Sequence, residues 1–282
     1  MIFNLFKSKP TLKVLIPKGF VDIHSHVLPG IDDGAKDIKE SIELLKGMKK
    51  LGFSKVIGTP HTYPGMYNNN DESIVCSYDK IIKSKKADIS VSYASEYMAG
   101  KYLIEKVEEK KILTLKENYV LVESSFSGEP QGFEEIIFNI KINGFTPVIA
   151  HPERYIYYFN NKRKYFKLKN MGCKFQLNLL STTGYYGDYN VKISDYLLKN
   201  NLIDFVGSDI HNKNHIDQFE NKLKIKEIDK LEIAISNNRI FIWFIYFRSH
   251  NHNHNYKNIY NRIDSRIDNH IYNHKSDYYQ QN

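Results

Sequence analysis

Two histidines separated by one residue stand near the start of the chain, in the run Asp22-Ile23-His24-Ser25-His26. They follow directly on a short apolar stretch that has the length of a β-strand. Because alternate residues of a strand face the same side, the two imidazoles can bind one metal ion together. Histidine is the commonest metal ligand in proteins. The pair therefore predicts a metal site at the end of the first strand.

A histidine or a carboxylate also follows nearly every later strand-like run. The residues in these positions are Asp32, Asp33, His61, Glu96, Glu123, His151, Glu153, Asp209 and His211. Each of them has a structural explanation when it is taken alone: a loop histidine, a glutamate in a salt bridge or helix cap, or an Asp-Asp-Gly turn. Of the six histidines before residue 249, only His215 lies away from a strand end. The repeated pattern predicts one convergent metal site.

These nitrogen and oxygen donors are too many for a single zinc ion. They suit a cluster of two or three Mn, Fe, Zn or Mg ions. Clustered cations lower the pKa of a bound water and neutralise phosphate oxygens during in-line displacement at a phosphate ester. Arg154 can offer a planar fork of donors to those oxygens, or it can form a surface ion pair with Glu153. Serine and cysteine nucleophile motifs and a phosphate-binding glycine loop are absent, so a metal-activated hydroxide is the predicted nucleophile.

Strand-like and helix-like runs alternate along the chain and must position these residues. The predicted strands cover residues 20–23, 55–58, 89–94, 119–122, 147–150, 175–179 and 204–207. The predicted helices cover residues 38–50, 71–84, 103–109, 133–143, 165–171 and 193–199. Short apolar strands between helices indicate a parallel sheet that is covered on both faces. About seven such units favour an α/β fold of the closed or distorted barrel type, in which all the carboxyl ends of the strands share one face.

Composition narrows the classes of function. The chain has 282 residues and a formal charge of +8, which favours an anionic partner, although most lysines are expected on solvated faces. No apolar run approaches the roughly 20 residues that span a bilayer, and the N-terminus lacks the pattern of a signal peptide. Cys76 and Cys173 match no zinc spacing and fit a reducing compartment, so we expect a cytoplasmic protein.

The two ends of the chain differ from the middle. Residues 1–19 are expected to form a leader, most simply a solvated one, although Lys7, Lys9, Lys13 and Lys18 offer a weak alternative as an anionic-membrane contact. Residues 20–240 are expected to form the single folded domain. Residues 241–282 have few aliphatic side chains and are rich in Asn, His and Tyr, which predicts a disordered and atypical tail.

The motifs DIHSHVLPGIDDGA, TPH, HPER and SDIHN, in this order, resemble the polymerase and histidinol phosphatase superfamily. More narrowly they resemble the bacterial capsule and exopolysaccharide tyrosine phosphatases, over about residues 20–237. The resemblance implies a distorted (β/α)7 barrel, a trinuclear site usually supplied with Mn²⁺, and hydrolysis of phosphotyrosine. It implies as partner the tyrosine-rich tail of a membrane-bound autokinase that controls polysaccharide export, with peripheral membrane association through that kinase. No nucleic acid is expected as a partner.

The resemblance also implies roles for single residues. His24, His26 and Asp209 would hold one metal, Glu123 and His151 a second, and Asp33, His61 and His211 a third, with Glu96 bridging. Arg154 would bind the phosphate, and it joins Asp209 and His211 as a predicted catalytic residue. Members of this family often carry a second arginine shortly after the last motif. This chain has Lys213-Asn214-His215-Ile216-Asp217 there, so His215 or Lys213 would have to replace it.

Three alternatives to a protein-tyrosine phosphatase stay open. A small-molecule phosphatase, such as one acting on histidinol phosphate, would use the same metals and differ only in its loops. Tyr63-Pro64-Gly65-Met66-Tyr67 and Phe126 are the aromatic residues that would flank a phosphotyrosine ring. A non-catalytic regulatory protein of polysaccharide assembly would have lost ligands, and none is missing. A nuclease would need an aromatic and basic groove for a single strand, which the sequence does not show.

Overall fold

The computed structural model describes residues 8–242, and the predicted tail after residue 242 lies outside this range. Within it, the strands in chain order are β1 (Phe20–Ser25), β2 (Phe53–Gly58), β3 (His61–Thr62), β4 (Ser90–Tyr93), β5 (Glu96–Met98), β6 (Tyr119–Glu123), β7 (Thr146–Ala150), β8 (Lys174–Asn178) and β9 (Phe205–Gly207). The helices are α1 (Leu12–Leu15), α2 (Ile38–Lys50), α3 (Asp71–Ser84), α4 (Lys101–Glu108), α5 (Phe133–Ile142), α6 (Arg163–Asn170), α7 (Asp188–Lys199), α8 (Lys213–Asp217) and α9 (Ile228–Asn237).

The strands form two parallel sheets. One has the order β1-β2-β4 and the other the order β3-β5-β6-β7-β8-β9. The predicted α/β fold with a parallel sheet is therefore confirmed. Among the described residues the hydrogen-bonded ladders do not join into one closed sheet, so the predicted barrel stays a prediction.

The two sheets meet at both of their edges. Only Thr59 and Pro60 separate β2 from β3, and only Ala94 and Ser95 separate β4 from β5, so each pair of strands follows one course along the chain. At the other edge, Ser25 and Ile210 form a single parallel bridge. These contacts bring the carboxyl ends of β1 and β9 together at the predicted site.

Buried side chains, more than a strand ladder, join β1 to β9. The Asp22 carboxylate accepts hydrogen bonds from the Ser208 backbone N–H at 2.8 Å and from the Ser208 hydroxyl at 2.5 Å. The Asn238 amide donates to the carbonyl oxygens of Val21 and Val206, at 2.9 and 2.8 Å. Because these groups are buried, losing one partner would leave the other unsatisfied at a cost of about 1–3 kcal/mol. The network fixes how far His24 lies from Asp209.

Helix α2 shows how local sequence determines an element. Asp37 accepts a hydrogen bond from the Glu40 N–H and caps the helix, as the sequence predicts. Ile42, Leu45 and Met48 are buried against the sheet, and Gly52 ends the segment with a φ of +103°. Burying such a side chain contributes about 1.5–3 kcal/mol. The predicted bounds of α2 and α3 agree with the structure.

Sequence periodicity missed several short elements. Strands β3 and β5 have only two and three residues, too few to show an alternating pattern. Helices α8 and α9 were also missed, although α9 buries Leu231, Ala234 and Ile235. No helix in the described part of the chain is both long and apolar enough to cross a bilayer.

The segment before β1 is packed through two residues, which corrects the expectation of a solvated leader at these positions. Leu12 and Ile16 are buried in the core. The Leu12 N–H donates to the Asn221 carbonyl, and the Leu223 N–H donates to the Pro10 carbonyl, each at 3.0 Å. The side chains of Leu12 and Ile16 are both apolar, so exposing them would lose the stabilisation of burial.

Candidate metal centre

The nine predicted metal ligands lie together at the carboxyl ends of the strands. Their donor atoms form four overlapping groups, and within each group the atoms lie within 4.8 Å of one another. The groups are His26, Asp33, His61 and His211; His24, His151 and Asp209; His24, His26 and Glu96; and His61, Glu96 and Glu123. The predicted convergence is thus observed. His151 lies with His24 and Asp209, and Glu123 lies with His61 and Glu96. The expected neighbours are close as well, with 3.6 Å between His151 Nε2 and Glu123 Oε1, so the assignment of ligands to single cations stays a prediction.

Glu96 lies at the centre of the cluster. Its Oε2 atom is 3.1 Å from His61 Nδ1, 3.2 Å from His24 Nε2 and 3.5 Å from His26 Nε2. This oxygen is buried and makes no hydrogen bond with the described residues. A buried polar atom without a hydrogen bond is rare in proteins. The donor set fits divalent cations, since a cation among these atoms would satisfy the carboxylate and the imidazoles together.

Exposure changes across the cluster. The side chains of His24, His26 and Glu96 are fully buried, and the Asp209 side chain is 3% exposed. On the other side, the exposed fractions are 14% for His61 and 51% for Asp33. The cluster therefore has a closed side and a side that opens to solvent.

Several side chains of the cluster have pKa values far from their ordinary values, because of burial and of the charges beside them. Burial lowers the pKa of the His24 imidazole, but the carboxylates of Glu96 and Asp209 outweigh burial and raise this pKa to about 9. Burial, reinforced by the charge of Glu96, raises the pKa of Glu123 to about 8. Burial lowers the pKa of His151 to about 4. Protons and cations compete for the same imidazole nitrogens, so metal binding at this site would release protons.

Asp32 belongs to the residues that the sequence placed near the site, but its role as a partner of a predicted ligand was not foreseen. Its Oδ2 atom lies 2.7 Å from His26 Nδ1 and accepts the His61 N–H at 3.1 Å. This contact turns His26 Nε2 towards the cluster. Gly34 is required beside it, because a Cβ atom at that position would lie 2.0 Å from the His26 carbonyl oxygen.

Two site residues have backbone angles that are uncommon for residues other than glycine. His151 has φ +32° and Asp209 has φ +52°, both in the left-handed region. Such conformations are strained by about 1–3 kcal/mol and persist only where the surrounding structure imposes them. His151 directly follows β7, and Asp209 follows β9 after Ser208, so the strain turns both side chains into the cluster at the strand ends.

Arg154 lies at the edge of the cluster. Its guanidinium donates to Asp209 Oδ2 at 3.0 Å and lies between the rings of Phe126, at 4.5 Å, and Tyr186, at 4.1 Å. The alternative ion pair with Glu153 is wrong. The Glu153 carboxylate is buried, accepts from the Asn178 N–H and the Ser181 hydroxyl, and has a pKa that burial raises to about 7.

His215 and Lys213, the two residues that could replace the second arginine of the family, differ in burial and in position. His215 is 8% exposed, its Nδ1 atom lies 3.1 Å from the Asp209 carbonyl oxygen, and it lines the pocket over the cluster. Lys213 is exposed and its ammonium pairs with Asp217. Only His215 is near enough to meet a group bound in the pocket.

A pocket of about 330 Å³ opens above the cluster and has aromatic walls. Phe126, Tyr185 and Tyr186 line it, with Asp33, His61, Glu123, His151, Arg154, Asp209, His211, Asn212 and His215. The Phe126 and Tyr185 side chains are 40% and 37% exposed. Tyr67 stacks on His61 with 5.3 Å between the ring centres, whereas Met66 is 65% exposed. Of the aromatic residues predicted to flank a substrate ring, Phe126 therefore lines the pocket and Tyr67 lies against one of its lining residues.

Sequence reasoning missed Gln176, Asn178 and Tyr186. Gln176 contacts His24, Asn178 contacts Asp209, and Tyr186 contacts Arg154. The signal for the first two was the alternation Phe175-Gln176-Leu177-Asn178, which puts two polar side chains on one face of a buried strand.

The fold and the site together define a parallel α/β protein whose strand ends carry a histidine and carboxylate centre suited to several divalent cations. A model of the capsular polysaccharide synthesis family CpsB/CapC matches residues 20–226. The chain belongs to this family, as its sequence motifs indicate.

Relatives and a solved structure agree with this assignment. The tyrosine-protein phosphatase CpsB of Streptococcus pneumoniae is 33% identical over 201 residues, which cover 68% of this chain and 83% of that protein. The tyrosine-protein phosphatase YwqE of Bacillus subtilis (strain 168) is 32% identical over 196 residues, which cover 68% of this chain and 77% of that protein. Crystal structures of YwqE and CpsB, described as metal-dependent tyrosine phosphatases, align with a TM-score of 0.69 at 27% identity, covering 79% of this chain and 94% of that chain.

Proposed function

We propose that this protein is a metal-dependent protein-tyrosine phosphatase. The observation that carries the proposal is the gathering of nine histidine and carboxylate side chains around Glu96, with Arg154 beside them and aromatic side chains at the rim. The names of the relatives support the same activity. The reaction would be attack of water on phosphorus with cleavage of the ester P–O bond, which gives tyrosine and inorganic phosphate.

The nine residues are proposed as ligands of two or three divalent cations, with Mn²⁺ the first metal to test. Bound cations would acidify a water molecule and withdraw charge from the phosphate oxygens. Glu96 would bridge them, because its Oε2 atom lies within 3.5 Å of His24, His26 and His61 and its Oε1 atom lies 3.2 Å from His151 Nε2. Asp209 and His211 are also proposed as catalytic residues.

The chain's own residues would hold the phosphate in place. Arg154 has its guanidinium between Phe126 and Tyr186, which keeps it extended over the pocket. There it can donate two parallel N–H bonds to phosphate oxygens, in addition to attracting their charge. The imidazole of His215 is proposed as the second contact. The rim formed by Phe126, Tyr185 and Tyr67 suits the flat face of an aryl ester.

The proposal extends to partner and architecture. The substrate would be the tyrosine-rich tail of a membrane-bound autokinase, and its dephosphorylation in the cytoplasm would regulate capsule or exopolysaccharide synthesis. Residues 20–240 would form one distorted (β/α)7 barrel. The short separation of β2 from β3 and the bridge between Ser25 and Ile210 support that architecture.

Phosphate release from a tyrosine-phosphorylated peptide, and from histidinol phosphate, tests the proposal. Each substrate is assayed with Mn²⁺, and again after chelation. We expect Mn²⁺-dependent release from the peptide that chelator removes and Mn²⁺ restores. Equal inactivity on both substrates after metal loading would disprove an enzyme of this type. Preference for histidinol phosphate would favour a small-molecule phosphatase.

The aromatic rim is tested by Tyr67→Ala and Phe126→Ala. We expect a higher KM for the phosphotyrosine peptide and a smaller change for an alkyl phosphate. Phe138→Ala, an exposed aromatic substitution on helix α5, is the control. Unchanged activity in both rim variants would exclude aryl recognition there.

A further inference from the structure

Strand β8 carries none of the predicted metal ligands, yet it sends two polar side chains into the cluster. Gln176 and Asn178 are both fully buried. They occupy alternate positions of the strand, so they share one face, and Leu177 between them packs in the apolar core on the other face. A buried amide is unfavourable unless its donors and acceptors are used. The partners of these two amides therefore indicate what they do.

The orientation of the Gln176 amide determines which nitrogen of the neutral His24 imidazole carries the hydrogen. Gln176 Nε2 donates to the Leu177 carbonyl oxygen at 2.9 Å, so Oε1 is the atom that faces His24 Nδ1, at 2.8 Å. Because Oε1 can only accept, Nδ1 must carry the hydrogen. Nε2 of His24 then faces the cluster, 3.3 Å from Asp209 Oδ1.

Asn178 donates a hydrogen bond to Asp209, whereas Gln176 accepts one from His24. Its Oδ1 accepts the Leu180 N–H at 2.8 Å, which leaves Nδ2 to donate to Asp209 Oδ2, also at 2.8 Å. Oδ1 of Asp209 is thereby left facing the imidazoles, 3.3 Å from the Nε2 atom of His26. One carboxylate oxygen is directed at the cluster and the other is held away from it.

The neighbouring strand leaves room for this arrangement. Gly207 of β9 pairs with Asn178, and a Cβ atom there would lie 2.6 Å from Gln176 Nε2 and 2.6 Å from His24 Cβ. Both distances are far below van der Waals contact. A glycine at this position is therefore required for the contact between Gln176 and His24.

We propose that Gln176 and Asn178 are positioning residues, which orient His24 and Asp209 as ligands of the same cation. The inference rests on the proposed metal-dependent function. Gln176 supplies an acceptor to an imidazole N–H, and Asn178 supplies a donor to a carboxylate. Both are neutral, so they orient two ligands without adding charge to a site that already holds four carboxylates from Asp33, Glu96, Glu123 and Asp209.

Affinity for Mn²⁺ alone, measured by competition with a chelator, tests the inference without any substrate. Asn178→Asp keeps the size and the acceptor for Leu180 but puts an acceptor against Asp209. Gln176→Met keeps the length and removes the acceptor for His24. We expect each to weaken Mn²⁺ binding about 10–100-fold, the usual effect of losing a partner of a metal ligand. Gln176→Glu, which restores the acceptor, should recover part of the affinity.

The control is Leu177→Val, on the same strand but facing the apolar core. It should lower the thermal midpoint of the metal-free protein and leave Mn²⁺ affinity unchanged. If Asn178→Asp does not fold, Asn178→Ser replaces it, since serine still caps the following turn but is too short to reach Asp209.

The outcomes separate the inference from the proposed function. Wild-type affinity for Mn²⁺ in both the Gln176 and Asn178 variants, with a wild type that binds Mn²⁺ and releases phosphate, would overturn the positioning role alone. A wild type that does not bind Mn²⁺ would overturn the proposed function and the inference with it. Weaker binding in the variants, with an unchanged thermal midpoint of the metal-free proteins, would support both.

Discussion

The side chains of His24, His151 and Asp209 are only 0%, 2% and 3% exposed, whereas those of His61, His211 and Asp33 are 14%, 16% and 51% exposed. We call the first three the buried half of the cluster and the second three the open half. In the buried half, His24 is held by Gln176 and Asp209 by Asn178 and Arg154. In the open half, Asp33 is 51% exposed and His211 is held by a backbone carbonyl, that of Asp209, at 2.9 Å.

This difference in exposure predicts different functions for the two halves. Electrostatic interactions are stronger where water is excluded, so the buried half is suited to hold a cation tightly. The open half is the more solvent-exposed side of the cluster, where a phosphate and a water molecule can enter. We therefore expect substitutions in the two halves to differ in size and in kind, and the following experiments test that expectation from the largest effect to the smallest.

The largest effect is expected in the buried half. His24→Ala and Asp209→Ala should each lower kcat by at least about 10³-fold, or about 4 kcal/mol of transition-state stabilisation. The physical reason is the loss of a ligand in a site from which water is excluded. Phosphate release from a phosphotyrosine peptide with saturating Mn²⁺ measures it. Asp188→Ala, an exposed aspartate, is the control, and retained activity in both variants would refute the ligand assignment.

A smaller effect is expected at the edge of the cluster, where Arg154 contacts Asp209. Arg154→Lys should lower kcat/KM by roughly 10²-fold, about 2.7 kcal/mol, because an ammonium keeps the charge but not the fork of two donors. Mn²⁺ affinity should change little. Arg163→Lys, on the exposed start of α6, serves as the matched change. If Arg154→Lys instead lowered Mn²⁺ affinity as much as it lowered kcat/KM, the role of Arg154 would be to position Asp209 and not to bind phosphate.

Substitutions in the open half should weaken activation by Mn²⁺ less than substitutions in the buried half. Asp33→Asn should weaken activation by Mn²⁺ by only about 10-fold, or about 1.4 kcal/mol, since water can replace one exposed oxygen ligand. The concentration of Mn²⁺ that gives half-maximal activity is the measurement. Asp209→Asn is measured in parallel. If the two substitutions had equal effects, the distinction between the halves would not hold.

The smallest effect on activity is expected for Glu153, which contacts Asn178 and not the cluster itself. A substitution there should change stability instead. The pKa of Glu153 is raised from 4.5 to about 7 by burial. Between these values the folded chain keeps a proton that the unfolded chain has lost, so the stability from this group falls as pH rises through that window. Glu153→Gln mimics the protonated acid and should stabilise the protein at pH 8 by on the order of 1–3 kcal/mol.

Urea unfolding of the Glu153→Gln variant at pH 5 and pH 8 measures this difference. Glu232→Gln, on the exposed face of α9, is the control and should show no pH-dependent gain. A gain from Glu153→Gln that is equal at both pH values would mean that burial does not shift this group.

The sequence predicted most of the long elements because their periodicity is local. Helix α2 has its cap at Asp37, its apolar face at Ile42, Leu45 and Met48, and its stop at Gly52, all within one segment. It did not predict β3 or β5, which exist through pairing with neighbouring strands. It also missed the packing of Leu12, because contact with residues near Asn221 is invisible to a local pattern.

The kinds and the order of the candidate ligands were determined by the sequence alone. His24-x-His26 on a strand, and an imidazole or carboxylate after most later strands, are properties of residue type and spacing. A parallel fold then brings those strand ends to one face, whatever the details of packing.

Only the tertiary structure decided which donors lie together and how each one is turned. His24 lies with His151 and Asp209 because the register of β1, β7 and β9 sets distances between residues more than a hundred positions apart. The hydrogen on His24 Nδ1 follows from the orientation of the Gln176 amide, which the Leu177 carbonyl determines. Ligand geometry depends on separations of a few tenths of an ångström across strands, and such separations arise from packing, not from local spacing.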